Sequence, residues 1–161
     1  MKYILIGFFL RFLVAIWNGF FGPSIGADGD ALMFHDVAIH VSNTGVFDAK
    51  YNIGWVYSIF LGSVYYLTLN SIFIGSLLSC LAWLISAIVL NKSIKLLGIH
   101  QKYRNRALLF YAIIPSSIFF TSVTLREVYQ LMFVNILIYS SLMILTRKNS
   151  RYWFLLTISA I

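Results

Sequence analysis

Ile53–Leu90, IGWVYSIFLGSVYYLTLNSIFIGSLLSCLAWLISAIVL, runs for 38 residues without one charged side chain. A bilayer-crossing helix takes about 20 apolar residues. The run is therefore too long for one span and just long enough for two, joined at Thr68-Leu69-Asn70-Ser71. Which of the two it forms decides the topology. Ahead of it, the segment from Gly22 to Asn52 carries Asp28, Asp30, Asp36 and Asp48. Behind it come Lys92, Lys95, Lys102, Arg104 and Arg106 with no acid among them. Basic loops are retained in the cytoplasm. A run that starts outside and ends inside crosses an odd number of times. The residues from Gly54 to Tyr66 then form a helix at the outer interface or partly embedded there, and Ile72–Leu90 is the span. Trp55, Tyr57, Tyr65 and Tyr66 suit that depth, because aromatic rings favour the interface. The rival reading is a hairpin of two spans, which places the basic loop outside.

The rest of the chain supports a membrane setting. It has 161 residues, of which 60% are hydrophobic and 11% charged, and its mean hydropathy is +0.86. Soluble domains carry about 25% charged residues, and disordered chains carry little apolar content. Both classes are excluded. The expected fold class is all-α, a polytopic transmembrane bundle in one membrane domain, with outer juxtamembrane helices in the first loop. The expected spans are 3–21, 72–90, 107–125 and 128–146, with an incomplete one at 152–161. A chain that stops ten residues into an apolar run leaves helix carbonyls unpaired in hydrocarbon. A longer protein, or a partner subunit at that end, is the expectation.

Charge fixes the expected orientation. Lys2, the cluster from Lys92 to Arg106, and Arg147, Lys148 and Arg151 supply nine of the twelve basic residues. These positions are read as cytoplasmic, as is the amino terminus. All five acidic residues, the four Asp and Glu127, then face the exterior. The first span reads as a retained anchor, since Arg11 interrupts its apolar core and no small residue opens a cleavage site at Ile25-Gly26-Ala27. The net charge of +7 serves topology and contact with anionic membrane lipid, and no nucleic-acid partner is expected. Cys80 is the only cysteine and reads as a small packing residue, which leaves no intrachain disulfide.

Few residues remain for chemistry. Gly26-Ala27-Asp28-Gly29-Asp30 is a turn signal. Beyond it Asp30, Phe34, Val37 and Val41 share one helical face, and Asp36 and His40 another. Gly45 is the expected C-cap, and Asp30 the expected N-terminal cap. Asp28 and Asp30, with His35 or His40, form a weak divalent-metal pattern; a solvated helix start and a surface pair are the bland alternatives. Leu125-Arg126-Glu127 separates two uncharged runs. Glu127 reads either as a membrane-surface marker or as a functional acid, and Arg126 either as a phosphate ligand or as a snorkelling cation. Arg11, near the middle of the first span, costs at least about 2.5–3.5 kcal/mol to insert. It meets a lipid phosphate or an internal acceptor, or snorkels toward the cytoplasmic face. Pro115 predicts a kink in the third span, with Thr121, Ser122 and Thr124 available to freed carbonyls. Phosphate-binding glycine loops, Cys/His metal spacings and nucleophile elbows are absent.

In this order the elements resemble the GT-C superfamily of membrane glycosyltransferases, in particular its family-39-like branch of protein O-mannosyltransferases and lipid A aminoarabinose transferases. Asp30 matches the acid of the first outer loop. Asp30, Phe34, Ala38, Ser42 and Gly45 resemble the pattern that follows it. Gly54-Trp55-Val56-Tyr57 to Leu61-Gly62 resembles the juxtamembrane helix, and Pro115 to Glu127 the third span with its acidic exit. The sequence departs in having Asp28 before Asp30 rather than a second acid after it, and in being shorter than such enzymes.

The resemblance implies a multi-pass protein of a plasma membrane such as the bacterial inner membrane. It would transfer a sugar from a polyprenyl-phosphate donor to an acceptor on the non-cytoplasmic side. Asp30 and Glu127 would be the catalytic residues and the ligands of any divalent metal cofactor. Asp28, Arg126 and Arg11 would bind substrate. The alternative is a non-enzymatic membrane protein, either a component of a lipid-carrier flippase or transporter, or an accessory subunit.

Overall fold

A computed structural model describes residues 1–22, 29–46 and 55–147. Every regular element among them is a helix: α1 (Lys2–Phe20), α2 (Asp30–Thr44), α3 (Trp55–Leu67), α4 (Ile72–Leu96), α5 (Gln101–Ile113), α6 (Pro115–Phe120) and α7 (Glu127–Arg147). The all-α helical bundle expected from composition is what forms. Three helices, α1, α4 and α7, are long and apolar enough to cross a membrane.

The long helices pack through small residues. A Cβ on Gly7 of α1 would lie 2.5 Å from the Trp83 ring of α4 and 2.8 Å from Ala112 Cβ of α5. Only glycine permits that approach. Asn18 Nδ2 donates to Ser76 Oγ at 3.0 Å, tying α1 to α4. Asn135 Nδ2 of α7 donates to Ser86 Oγ of α4 at 2.7 Å, and Ser86 Oγ lies 2.8 Å from Tyr111 Oη of α5. Small residues and interhelical polar contacts are how apolar helices associate when hydrophobic burial gives no preference. Leu5, Phe9, Leu13 and Trp17 of α1, and Val134, Ile138 and Leu145 of α7, stay exposed.

These contacts also set direction. The end of α1, the start of α4 and the start of α7 lie at one end of the bundle. Lys2, the end of α4 and the start of α5 lie at the other. The described acids Asp30, Asp36 and Glu127 belong to the first end, and the basic cluster to the second.

α3 does not extend the set of long helices. Its 13 residues measure about 20 Å, against about 30 Å of hydrocarbon. It folds back along the first half of α4: a Cβ on Gly75 would meet Tyr65 Oη at 2.9 Å, and Val56, Tyr57 and Phe60 face Leu78 and Leu81 across a shared groove. α2 packs beside it through Ala31, Phe34 and Ala38. These join Tyr57, Leu61, Tyr65, Val123 and Leu125 in one buried cluster. Gly45 ends α2 with φ +68°, its N–H bonded to Val41 O. That is the left-handed cap glycine tolerates.

Two expectations need correction. Asp30 does not cap α2: Gly29 holds the cap position, no side chain bonds there, and Asp30 is the first helical residue. α4 contains the expected span 72–90 and runs on to Leu96, because lysines are good helix formers and a charge marks a membrane edge, not a helix end. The stretch 107–125 is not one helix. α5 starts at Gln101 and stops at Ile113, Ile114 turns out with ψ 117°, and α6 holds only six residues. Proline disfavours helical geometry in the residue before it, so a break replaces the expected kink. The expected segment 152–161 lies outside the described residues.

Candidate functional site

The site is built at the acidic end, where α6 gives way to the turn 121–126. Thr121 Oγ1 donates to Ser117 O at 2.5 Å, and Ser122 Oγ to Ile118 O. These bonds wind down α6 and leave Arg126 and Glu127 at the start of α7. Val123 and Leu125 anchor the turn in the cluster shared with α2 and α3. Glu127 sits in the first turn of α7, where the helix dipole favours an acid. Its Oε1 is 3.7 Å from Arg126 Nε, with both side chains about half exposed. An exposed pair of this kind contributes little to stability, so both charges stay available to a ligand.

Asp30 is exposed at the start of α2. Its neighbour Ala31 lies in the same buried cluster as Leu125. The fold thus brings the segments bearing Asp30 and Glu127 to one end of the bundle, and no ion pair or hydrogen bond among the described residues joins the two acids. Asp28 lies outside the described residues. His35 is buried, with Nδ1 2.8 Å from Tyr65 Oη. Burial holds its pKa below the ordinary 6.5, partly opposed by Asp36. The hydrogen bond to the tyrosine already engages Nδ1. Among the described residues no group of three or more His, Cys, Asp or Glu side chains gathers at one place. Among the described residues, then, Asp30 and Glu127 have no third protein ligand with which to hold a divalent metal.

Arg11 is enclosed instead of presented. It is 0% exposed. Nε donates to Thr121 Oγ1 at 2.7 Å, Nη1 to Gly7 O at 3.0 Å and Ala112 O at 2.9 Å, and Nη2 to Ser117 Oγ at 3.0 Å. Its guanidinium carbon lies 3.7 Å from the centroid of the Trp83 ring. Of the alternatives open in the sequence, the internal acceptor is the one found. Arg11 holds α1 against both sides of the α5–α6 break.

The remaining feature is a groove of about 900 Å³ between α3, α4 and α7. Its walls are apolar, among them Val56, Phe60, Leu81, Ile85 and Phe133, and its polar end carries Arg126 and Gln130. Tyr57 and Tyr129 stand between, with ring centroids 5.3 Å apart. Burial pushes the Tyr57 hydroxyl well above its ordinary pKa, so it stays protonated. A long apolar slot with a few polar groups at one end suits an amphiphile with an anionic head. Sequence reading singled out Arg126 but missed Gln130 and Tyr129. The available signal was their spacing: Gln130 follows Arg126 by four residues and so lies on the same helical face. Comparisons with protein-family models, with curated proteins and with solved structures return no match.

Proposed function

We propose that the chain is part of a membrane glycosyltransferase, which moves a sugar from a polyprenyl-phosphate carrier to an acceptor on the non-cytoplasmic face. The observation that supports this reading is the apolar groove ending at Arg126, one residue from Glu127. The lipid chain lies along α3, α4 and α7, and the phosphate meets Arg126. The Asp30 carboxylate takes the proton of an acceptor hydroxyl, the acceptor oxygen bonds the sugar's anomeric carbon, and the bond from that carbon to the phosphate oxygen breaks. The phosphate keeps the electron pair, and Arg126 balances its charge. Glu127 orients the acceptor and holds Arg126. Charge bias places the acidic end outside and the amino terminus in the cytoplasm.

The test uses Asp30→Asn, Glu127→Gln and Arg126→Gln in the complete protein, with transfer and carrier binding measured separately. General-base loss costs about 10²–10⁴ in rate, so Asp30→Asn is expected to retain carrier binding and lose transfer. Arg126→Gln is expected to weaken binding itself. Normal transfer by both acid variants at normal protein level overturns the assignment. Carrier binding with no transfer by the wild type favours the non-enzymatic alternative.

A further inference from the structure

A second polar cavity lies at the opposite end of the bundle, independent of the proposed transferase site. It measures about 220 Å³ and is lined by Tyr3 of α1 and by Lys102, Asn105, Arg106 and Leu109 of α5. The four α5 positions are spaced i, i+3, i+4 and i+7, which is one stripe on a helix. Along that stripe the chemistry changes from charged to apolar. Lys102 and Arg106 are exposed, Leu109 is partly buried, and Leu108 beside it is buried against the long helices. Lys2 leans over the Tyr3 ring at 5.1 Å, adding a third cation at the rim.

Among the described residues no acid pairs with the cations here. Lys92 and Lys95 project from the last turns of α4 toward the same end, and the described acids are all at the other. Arg104 Nη2 donates to the side-chain amide oxygen Oε1 of Gln101, a neutral partner. We infer that the notch between α1 and α5 is a binding site for the phosphate headgroup of an anionic membrane lipid. Lys102 and Arg106 meet the phosphate, Asn105 and the Tyr3 hydroxyl bond its oxygens or the headgroup alcohol, and an acyl chain descends past Leu109. Basic notches between helices at a membrane surface recognise such headgroups. A zwitterionic lipid would bring its own cation into a site already rich in them.

The test is native mass spectrometry of the full chain released from mixed micelles holding phosphatidylglycerol and phosphatidylcholine. Wild type is expected to retain phosphatidylglycerol in preference. Lys102→Gln with Arg106→Gln is expected to bind it roughly thirtyfold more weakly. The control, Lys92→Gln with Lys95→Gln, removes the same charge outside the notch and is expected to retain it. All four positions are exposed, so folding is spared. Equal loss in both double variants means a diffuse basic surface and overturns the site, as does equal retention of phosphatidylcholine. Inorganic phosphate that displaces the lipid at comparable concentration identifies a free-phosphate site and overturns the lipid assignment.

Discussion

Arg11 Nη1 donates to Ala112 O at 2.9 Å, across 101 residues of sequence, at the break between α5 and α6. Pro115 has no N–H for the carbonyl of Tyr111, and the extended Ile114 carries the following N–H away from Ala112. The guanidinium supplies the donor that the helix lost. Its other bonds reach Ser117 and Thr121 beyond the break, so one side chain spans the discontinuity. Among the described residues no carboxylate pairs with the positive charge; carbonyl and hydroxyl dipoles and the face of Trp83 offset its desolvation. The turn carrying Arg126 and Glu127 begins directly after the last of these contacts.

Arg11→Lys therefore does not restore what Arg11→Met removes. An ammonium is a compact charge without the planar fork that reaches four groups at once. Each variant leaves Ala112 O or Thr121 short of a donor, and one orphaned buried group costs about 1–3 kcal/mol. Both variants are expected to lower the thermal midpoint in detergent, with Lys no closer to wild type than Met is within about 1 kcal/mol. Full rescue by Lys would mean that charge alone matters and that the bridging geometry does not.

The elements that could be read from the sequence are those whose cause is local. Gly45 stops α2 because a positive φ is needed there, and the Phe34, Val37 and Val41 stripe is buried as its spacing requires. Parity of charge across Ile53–Leu90 anticipated a short α3 before a long α4. What could not be read depends on distant partners. Apart from Gly7 O on its own helix, the acceptors of Arg11 lie on α5, α6 and the turn after them, and nothing near residue 11 signals them. The groove takes its walls from three helices and has no sequence signature of its own. Pro115 announced a disturbance, but a six-residue α6 in place of a kinked span follows from how Thr121 and Ser122 close its last turn.

Topology yields a direct prediction. Cys80 is the only cysteine and is fully buried, so the native chain gives a quiet background for labelling. Leu69→Cys, in the exposed turn between α3 and α4, is expected to react with a membrane-impermeant maleimide in intact cells. Gln101→Cys, at the start of α5, is expected to react only after permeabilisation. Labelling of both from one side would remove α4 as a crossing. The inverse pattern would keep the crossing and reverse the orientation.

A pH dependence follows from His35. Burial lowers its folded-state pKa below the ordinary 6.5, and Asp36 only partly counters this. Above 6.5 the ring is neutral in both the folded and unfolded chain, and this group adds no pH dependence. As pH falls below 6.5 the unfolded chain binds a proton first, so stability declines until the pH reaches the lowered folded value. Protonated, Nδ1 is a donor, so the Tyr65 hydroxyl, 2.8 Å away, can only accept from it. Tyr65 packs against α4 and the 121–126 turn, so the loosening would reach the proposed site. The measurement is the thermal midpoint of wild type against His35→Gln from neutral to mildly acidic pH. The wild type is expected to lose ground to the variant progressively below about 6.5. A difference that stays constant over that range would show that His35 carries the same proton in both states.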